Sequence, residues 1–450
     1  MPRRHNRSRN PRGKVPLTPP APPSTRISSS VTVGNPVFNE PSVTPDPLKF
    51  KEPHASDSAA YKEMDALIKA HKFQPLPFPV VPNVDEPVLT LAAALGSGGT
   101  ATAAKIEKAG RIVFHSAGDT GATKGPNTEN IVVNKLLSDF ADEQPEDVPQ
   151  FFYNLGDIVY SFGEHKYYYD QFYEAYRDYP APIFAIPGNH DGIVLPPPSG
   201  TTVPSLSAFL ANFCTEKFTH SSDSMGIART TMIQPGVYFT LEAPFLRILG
   251  LYSNMLENPG VISNQSGRFP QLPDAQIKFL TAALSRIKKD NFEGAIIITV
   301  HHPPYAIGTH SGSMVMLKEI DAICKQTGVW PHAVLSGHAH SYQRFTRTIG
   351  GKQIPHIVCG NGGHGLQPVS RTQTLRTPAS MQMFAQPEAK DQVTFESYDD
   401  KNYGYLRVLV DTKQLRIEYH PAPDGTDTKT PDDAVTVDLA ARTLVHYNAP

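Results

Sequence analysis

Five apolar runs rich in β-formers each stop abruptly in a polar turn that carries an oxygen or imidazole donor: "RIVFHSAGD", "QFFYNLGD", "PIFAIPGNHD", "GAIIITVHH" and "HAVLSGHAH". Runs of this length and composition read as buried strands. Helical patterns lie between them. "PDAQIKFLTAALSRIKKD" offers Asp274 as N-cap, an apolar stripe of Ile277, Leu280, Leu284 and Ile287, and basic residues in its last turn. "EHKYYYDQFYEAYRDYP" sets Tyr168, Phe172 and Tyr176 four residues apart, a stripe that reads as packing. Strand alternating with helix predicts an α/β architecture. Near the end, "YGYLRVLVDTKQLRIEYH" predicts a hairpin and "AVTVDL" one more strand.

In open α/β sheets, ligands bind beyond the carboxyl ends of the strands. Here those ends carry Asp119 in "GDTG", Asp157 and Tyr160 in "GDIVY", Asn189 and His190 in "GNHD", His301 and His302 in "HHPPY", and His338 and His340 in "GHAH". Singly, such turns are ordinary, since Asp and Asn tolerate left-handed backbone. Five of them closing successive apolar runs is a pattern. The donors are oxygen and imidazole without thiolate, a mixture that suits Fe, Mn or Zn and disfavours soft-metal chemistry.

Composition removes other classes. The 41 basic and 43 acidic residues leave a net charge of −2, so no overall field marks a nucleic-acid or membrane binder. Cys214, Cys324 and Cys359 are too few and too scattered for a disulfide scaffold or a cysteine-built zinc site, and read as buried thiols. No apolar run approaches the roughly 18 residues of a membrane-spanning helix. The basic start "MPRRHNRSRN" lacks a following apolar segment, so no export signal is readable and a cytoplasmic location is the default expectation. More than a third of the 43 prolines fall among residues 1–90, amid serine and threonine. That stretch predicts a largely disordered arm with one short helix in "AAYKEMDALIKAHK" and an unknown partner. The folded domain is expected over residues 91–450.

The ordered set GD-T-G, GD-xx-Y, GNHD, a histidine after a β-run, then GHxH resembles the calcineurin-like metallophosphoesterases, and among them the purple acid phosphatase branch. Gly121 stands where simpler members place a histidine, and Tyr160 is added to the second motif. "GHAHSYQRF" and "CGNGGHG" also resemble that branch, and the match runs from about Arg111 to Leu439. The resemblance implies two packed mixed β-sheets flanked by helices, without the N-terminal β-sandwich of plant members. It implies Asp119, Tyr160 and His340 on one metal, Asn189, His301 and His338 on a second, and Asp157 bridging. Seven donors are too many for one reactive octahedral ion but fit two ions roughly 3.5–4 Å apart. A phenolate prefers Fe(III), so Fe(III) plus a divalent Fe, Zn or Mn is implied, with metal-bound hydroxide attacking phosphorus in line. His190 is the first candidate to protonate the leaving group, tuned by Asp191, and His310, nine residues past His301, the second. His302 reads as a neighbour of the ligands or of the substrate. The expected substrate is a small phosphate monoester. A phosphodiesterase of cyclic-nucleotide type and a non-catalytic metal-binding scaffold with a Pro-rich interaction arm are the alternatives. Residues 195–232, between two motifs, are expected to form a substrate-selecting rim.

Overall fold

Most of the apolar runs end at or near a glycine, asparagine or aspartate that breaks the ladder, and the run of Ala295–Val300 ends at His301. In chain order the strands are β1 (Val88–Thr90), β2 (Arg111–Ala117), β3 (Phe152–Asn154), β4 (Ile183–Ala185), β5 (Phe239–Ala243), β6 (Leu246–Leu251), β7 (Ala295–Val300), β8 (Ala333–Ser336), β9 (Tyr342–Ile349), β10 (Lys352–Cys359), β11 (Ala379–Ser380), β12 (Gln392–Asp399), β13 (Gly404–Asp411), β14 (Gln414–Pro421) and β15 (Asp433–Asp438). The computed structural model describes residues 34–39, 62–64, 66, 86–141, 144–194, 204–369, 379–380, 392–422 and 430–447. All fall within the unit Val33–Pro450.

Among the described residues the strands form two mixed sheets, ordered β1-β5-β6-β7-β8-β10-β9-β12-β11 and β15-β14-β13-β2-β3-β4. Each contains a parallel block: β6, β7, β8 and β10 in the larger sheet, β2, β3 and β4 in the smaller. Strands buried on both faces read as continuous apolar runs, which is why these were visible in sequence. Helices Ala275–Lys289 and Met314–Thr327 pack together on the larger sheet, and Gly99–Ala109 and Asn127–Ser138 on the smaller. The architecture is therefore the expected sandwich of two mixed sheets flanked by helices. The predicted hairpin is β13–β14, and β15 is the predicted last strand. No described helix is long and apolar enough to cross a membrane. All three cysteines are free, Cys324 and Cys359 buried and Cys214 half-buried.

Two local expectations change. Asp274 occupies the N-cap position, but its carboxylate accepts from the backbone and side-chain amides of Asn264, both at 3.0 Å, because the preceding loop needs that acceptor. Tyr168, Phe172 and Tyr176 are buried in the core, as a packing stripe should be, but the backbone is a 3₁₀ turn at His165–Tyr167 followed by a π-helical turn at Tyr169–Tyr173. Such turns recur near functional sites, and this one carries Gln171 inward.

Several stretches before residue 91 belong to the folded body. β1 pairs parallel with β5, Val37 and Thr230 exchange hydrogen bonds, and Met64 is buried in the core. Most of the expected arm, and residues 195–203 of the expected rim, lie outside the described residues.

Arg347 of β9 forks onto Asp321 of helix Met314–Thr327 at 2.8 and 2.5 Å, both side chains being almost fully buried. Removing one partner of such a pair strands the other's charge. Arg347→Leu is expected to lower stability by about 3–5 kcal/mol, measured as the shift in a urea unfolding transition. A change near zero would mean that the pair is exposed to solvent.

Candidate metal centre

The two parallel blocks end at one place. Asp119 follows β2, Asp157 and Tyr160 follow β3, and Asn189 follows β4. From the larger sheet, His301 follows β7, and His338 and His340 follow β8. All seven side chains are buried. Asp119, Asp157 and His338 adopt left-handed φ of 56°, 54° and 67°, a conformation that Asp and His tolerate better than most residues. The turns must be tight because the backbones approach closely. Gly156 has φ 98°, and a Cβ there would sit 2.7 Å from His301 Nδ1.

The donors fall into two groups that share Asp157. In the first, the Tyr160 hydroxyl lies 2.8 Å from Asp119 Oδ1, 2.9 Å from Asp157 Oδ2 and 3.4 Å from His340 Nε2. In the second, Asn189 Oδ1 lies 3.1 Å from both His301 Nε2 and His338 Nδ1, and His301 Nε2 lies 3.3 Å from Asp157 Oδ2. Ligand atoms of Asp157, His301 and His338 all lie within 4.8 Å of one another. Each carboxylate is aimed by a backbone N–H on its other oxygen. His338 N donates to Asp119 Oδ2 at 2.7 Å, and His190 N to Asp157 Oδ1 at 2.8 Å.

Whether these residues suit a cation is tested by counting protons. Each of the three imidazoles faces an acceptor at both nitrogens. The outward partners are the carbonyls of Leu155 for His301, Glu257 for His338 and Gly365 for His340. The inward partners are Asn189 Oδ1 for His301 and His338, and Asp119 Oδ1 for His340 at 3.4 Å. A neutral imidazole has one N–H and cannot serve two acceptors. Burial disfavours a charged His301, but Asp157 and then Asp119 outweigh it and hold the ring up at about 9. His340 is likewise raised against its burial by Asp119. His338 finds no such help. Burial, then the neighbouring His302, His310 and His301, push it well below the ordinary value. Its single N–H cannot serve both Asn189 Oδ1 at 3.1 Å and the Glu257 carbonyl at 2.9 Å, so one of these oxygens faces a lone pair. A positive ion among these lone pairs resolves the conflict, and outward N–H groups fixed on carbonyls are the usual means of orienting metal-binding histidines. The donor set fits a metal cluster.

A family model for calcineurin-like phosphoesterases matches residues 118–342, half of this 450-residue chain. The chain belongs to the calcineurin-like phosphoesterases. Its buried Asp157, His301 and His338 form a cluster able to hold a metal ion. No curated protein matches it by sequence. Among solved structures it is similar to a purple acid phosphatase from yellow lupin (Lupinus luteus) seeds, at 15% identity and TM-score 0.48. That likeness covers 73% of this chain and 54% of the lupin chain, about half the latter's length. It is also similar to GAP50, the anchor in the inner membrane complex of Plasmodium, at 13% identity and TM-score 0.44, covering 73% and 88% of the two chains. A dimetal phosphatase from Danio rerio gives 12% and 0.40, covering 73% and 99%.

Around this phosphoesterase cluster the remaining candidates take distinct places. His190 is half-buried, its ring centre 4.4 Å from that of Tyr160 and its Nδ1 2.9 Å from the Ser161 carbonyl. The Asp191 carboxylate is fully buried and accepts from the N–H groups of Gly188 at 2.8 Å and Ile158 at 3.1 Å, which stitches the second motif to the third. Burial and the charge of Asp157 push it up to about 7. His310 lies against the cluster, ring centres 4.3 Å from His338 and 5.4 Å from His340, with Gln367 Nε2 donating to its Nε2 at 3.1 Å. The His302 ring lies beside that of His338, ring centres 4.1 Å apart. Its nitrogens go to Ser253 Oγ at 2.8 Å and the Leu256 carbonyl at 2.7 Å, so it clamps the loop after β6.

Three contributors were not singled out in the sequence. His364 stacks on Tyr160 with ring centres 3.6 Å apart and donates to the Gly121 carbonyl. Gln171 brackets the Tyr160 backbone through both amide ends, at 2.9 and 2.7 Å. It also fills the space a side chain at Gly121 would need, since a Cβ there would collide with Gln171 Oε1 and sit 2.7 Å from the Ile158 carbonyl. Glu257 follows β6, whose run "FLRILGLYSN" is a sixth apolar strand ending in a polar loop. That was the readable signal.

A metal must displace the His301 proton, so binding is linked to pH. Below about 9 the imidazole is charged in the metal-free chain. Affinity for Zn(II) should therefore rise with pH by about tenfold per unit for this one proton, levelling off above that value. Isothermal titration in buffers of different ionisation enthalpy reads the released proton; an affinity independent of pH would contradict it.

Proposed function

We propose that this chain is a binuclear metal-dependent hydrolase of phosphate monoesters, similar to the purple acid phosphatases. In this reading Asp119, Tyr160 and His340 hold Fe(III), Asn189, His301 and His338 hold a divalent Fe, Zn or Mn, and Asp157 serves both. The supporting observation is the phenol of Tyr160, wedged between two buried carboxylates at 2.8 and 2.9 Å. Burial, then Asp119 and Asp157, hold that phenol's proton on well above its usual range. Only a strongly acidic ion competes for such an oxygen, and a phenolate is a hard donor that favours Fe(III). When bound, two such ions acidify water and neutralise phosphoryl oxygens.

The chain's own residues supply orientation and protons. Gln171 and His364 fix Tyr160 from its backbone and its ring face. His190, with Nδ1 committed to the Ser161 carbonyl, keeps Nε2 as the ring position able to pass a proton to a leaving alkoxide. His310, which lies beside His338 and His340 with Gln367 on its Nε2, would contact the phosphoryl group.

Purified protein should contain iron and absorb visible light by phenolate-to-iron charge transfer, and Tyr160→Phe should abolish the colour. A colourless, iron-free wild type, or a bis-nitrophenyl phosphate turned over faster than the mono-ester, would overturn the reading. His190→Ala should lower turnover by about 100- to 10,000-fold with both metals retained; metal analysis showing their loss would reassign it.

A further inference from the structure

Through Glu257, the loop after β6 touches the second donor group at His338 and Asn189, and the neighbouring His310. The backbone carbonyl of Glu257 accepts from His338 Nε2 at 2.9 Å. Its Oε2 accepts from Asn189 Nδ2 at 3.3 Å, and its Oε1 lies 3.5 Å from His310 Nδ1. The loop is itself held firmly. His302 binds Ser253 and Leu256, Val261 N donates to the Ser253 carbonyl at 2.9 Å, and the Asn254 side-chain amide donates to the Val261 carbonyl.

An asparagine amide has two ends of similar shape and opposite polarity, and only its neighbours decide which end faces where. At Asn189 the inward neighbours are two imidazole nitrogens, His301 Nε2 and His338 Nδ1, both 3.1 Å from Oδ1, and a ring nitrogen can face either end of an amide. With the amide reversed, the group would lose its oxygen donor. A carboxylate only accepts, so Glu257 on the outer side can pair only with the NH₂ end. We propose that Glu257 is a positioning residue that locks Asn189 with its oxygen inward and so sets the metal affinity of the second group. The inference rests on the two-metal reading above.

Zn(II) titration against a competing chelator, with metal counting, tests it on four proteins: wild type, Glu257→Ala, Asn189→Asp and the double variant. Wild type should hold two ions. Glu257→Ala should weaken one of them by about 10- to 100-fold and leave the other unchanged. Aspartate has an oxygen at both ends and needs no orienting, so Glu257→Ala in the Asn189→Asp background should cost nothing, or tighten binding by removing a like charge. An equal loss in both backgrounds would make Glu257 a general support of the loop and overturn the proposal, as would unchanged binding in Glu257→Ala. This comparison holds even where the variants differ in stability, because a structural cost enters both backgrounds alike. A wild type that never takes a second ion would overturn the two-metal reading and this inference with it, whereas two ions with no Glu257 effect would sink the inference alone.

Discussion

A neutral imidazole ring has one proton to give and, in this protein, two neighbours that require it. That shortage, repeated at His301, His338 and His340, is the constraint around which the interior is arranged. The outward partners are the backbone carbonyls of Leu155, Glu257 and Gly365. The inward acceptors are carboxylate and amide oxygens on the tips of the other sheet. Burying so many acceptors together is unfavourable unless positive charge joins them. A fold that assembles them has committed its interior to that charge, and the left-handed turns at Asp119, Asp157 and His338 show local backbone preference giving way to the same end.

Much of this was readable in the sequence, and for a definite reason. Parallel strands covered on both faces appear as unbroken apolar runs, and donors at their ends stand out against that background. Asp119, Asp157, Asn189, His301 and His338 were visible because each sits within a few residues of such a run. The tertiary partners were not visible. Glu257 meets Asn189 across 68 residues of chain, and nothing in "NMLENP" announces it. Gln171 resembled one more polar residue in an aromatic stripe, because a π-helical turn shifts which side chains point inward and periodicity assumes a regular α-helix. Asp274 had the right position for a cap but was drawn off by Asn264, a competition that sequence order does not reveal.

The phenol pocket shows how the choice of one residue is tied to others. With no side chain at Gly121, space opens beside the second motif, and Gln171 occupies it while bonding the Tyr160 backbone. No side chain could enter at position 121 without evicting that amide. His364 covers the opposite face of the ring. Tyrosine, glycine, glutamine and the stacking histidine therefore act as one unit, although they come from four separate segments.

The donors are divided between the two halves of the sandwich. Asp119, Asp157, Tyr160 and Asn189 extend from the six-stranded sheet, and the three histidines from the nine-stranded one. A cation seated between Asp157 and His301 is thus also a rivet across the seam. Its departure would leave that gap bridged by the weaker pairing of those two side chains themselves, 3.3 Å apart, so the chain's resistance to heat and to proteases becomes a gauge of how well the surroundings supply it with metal.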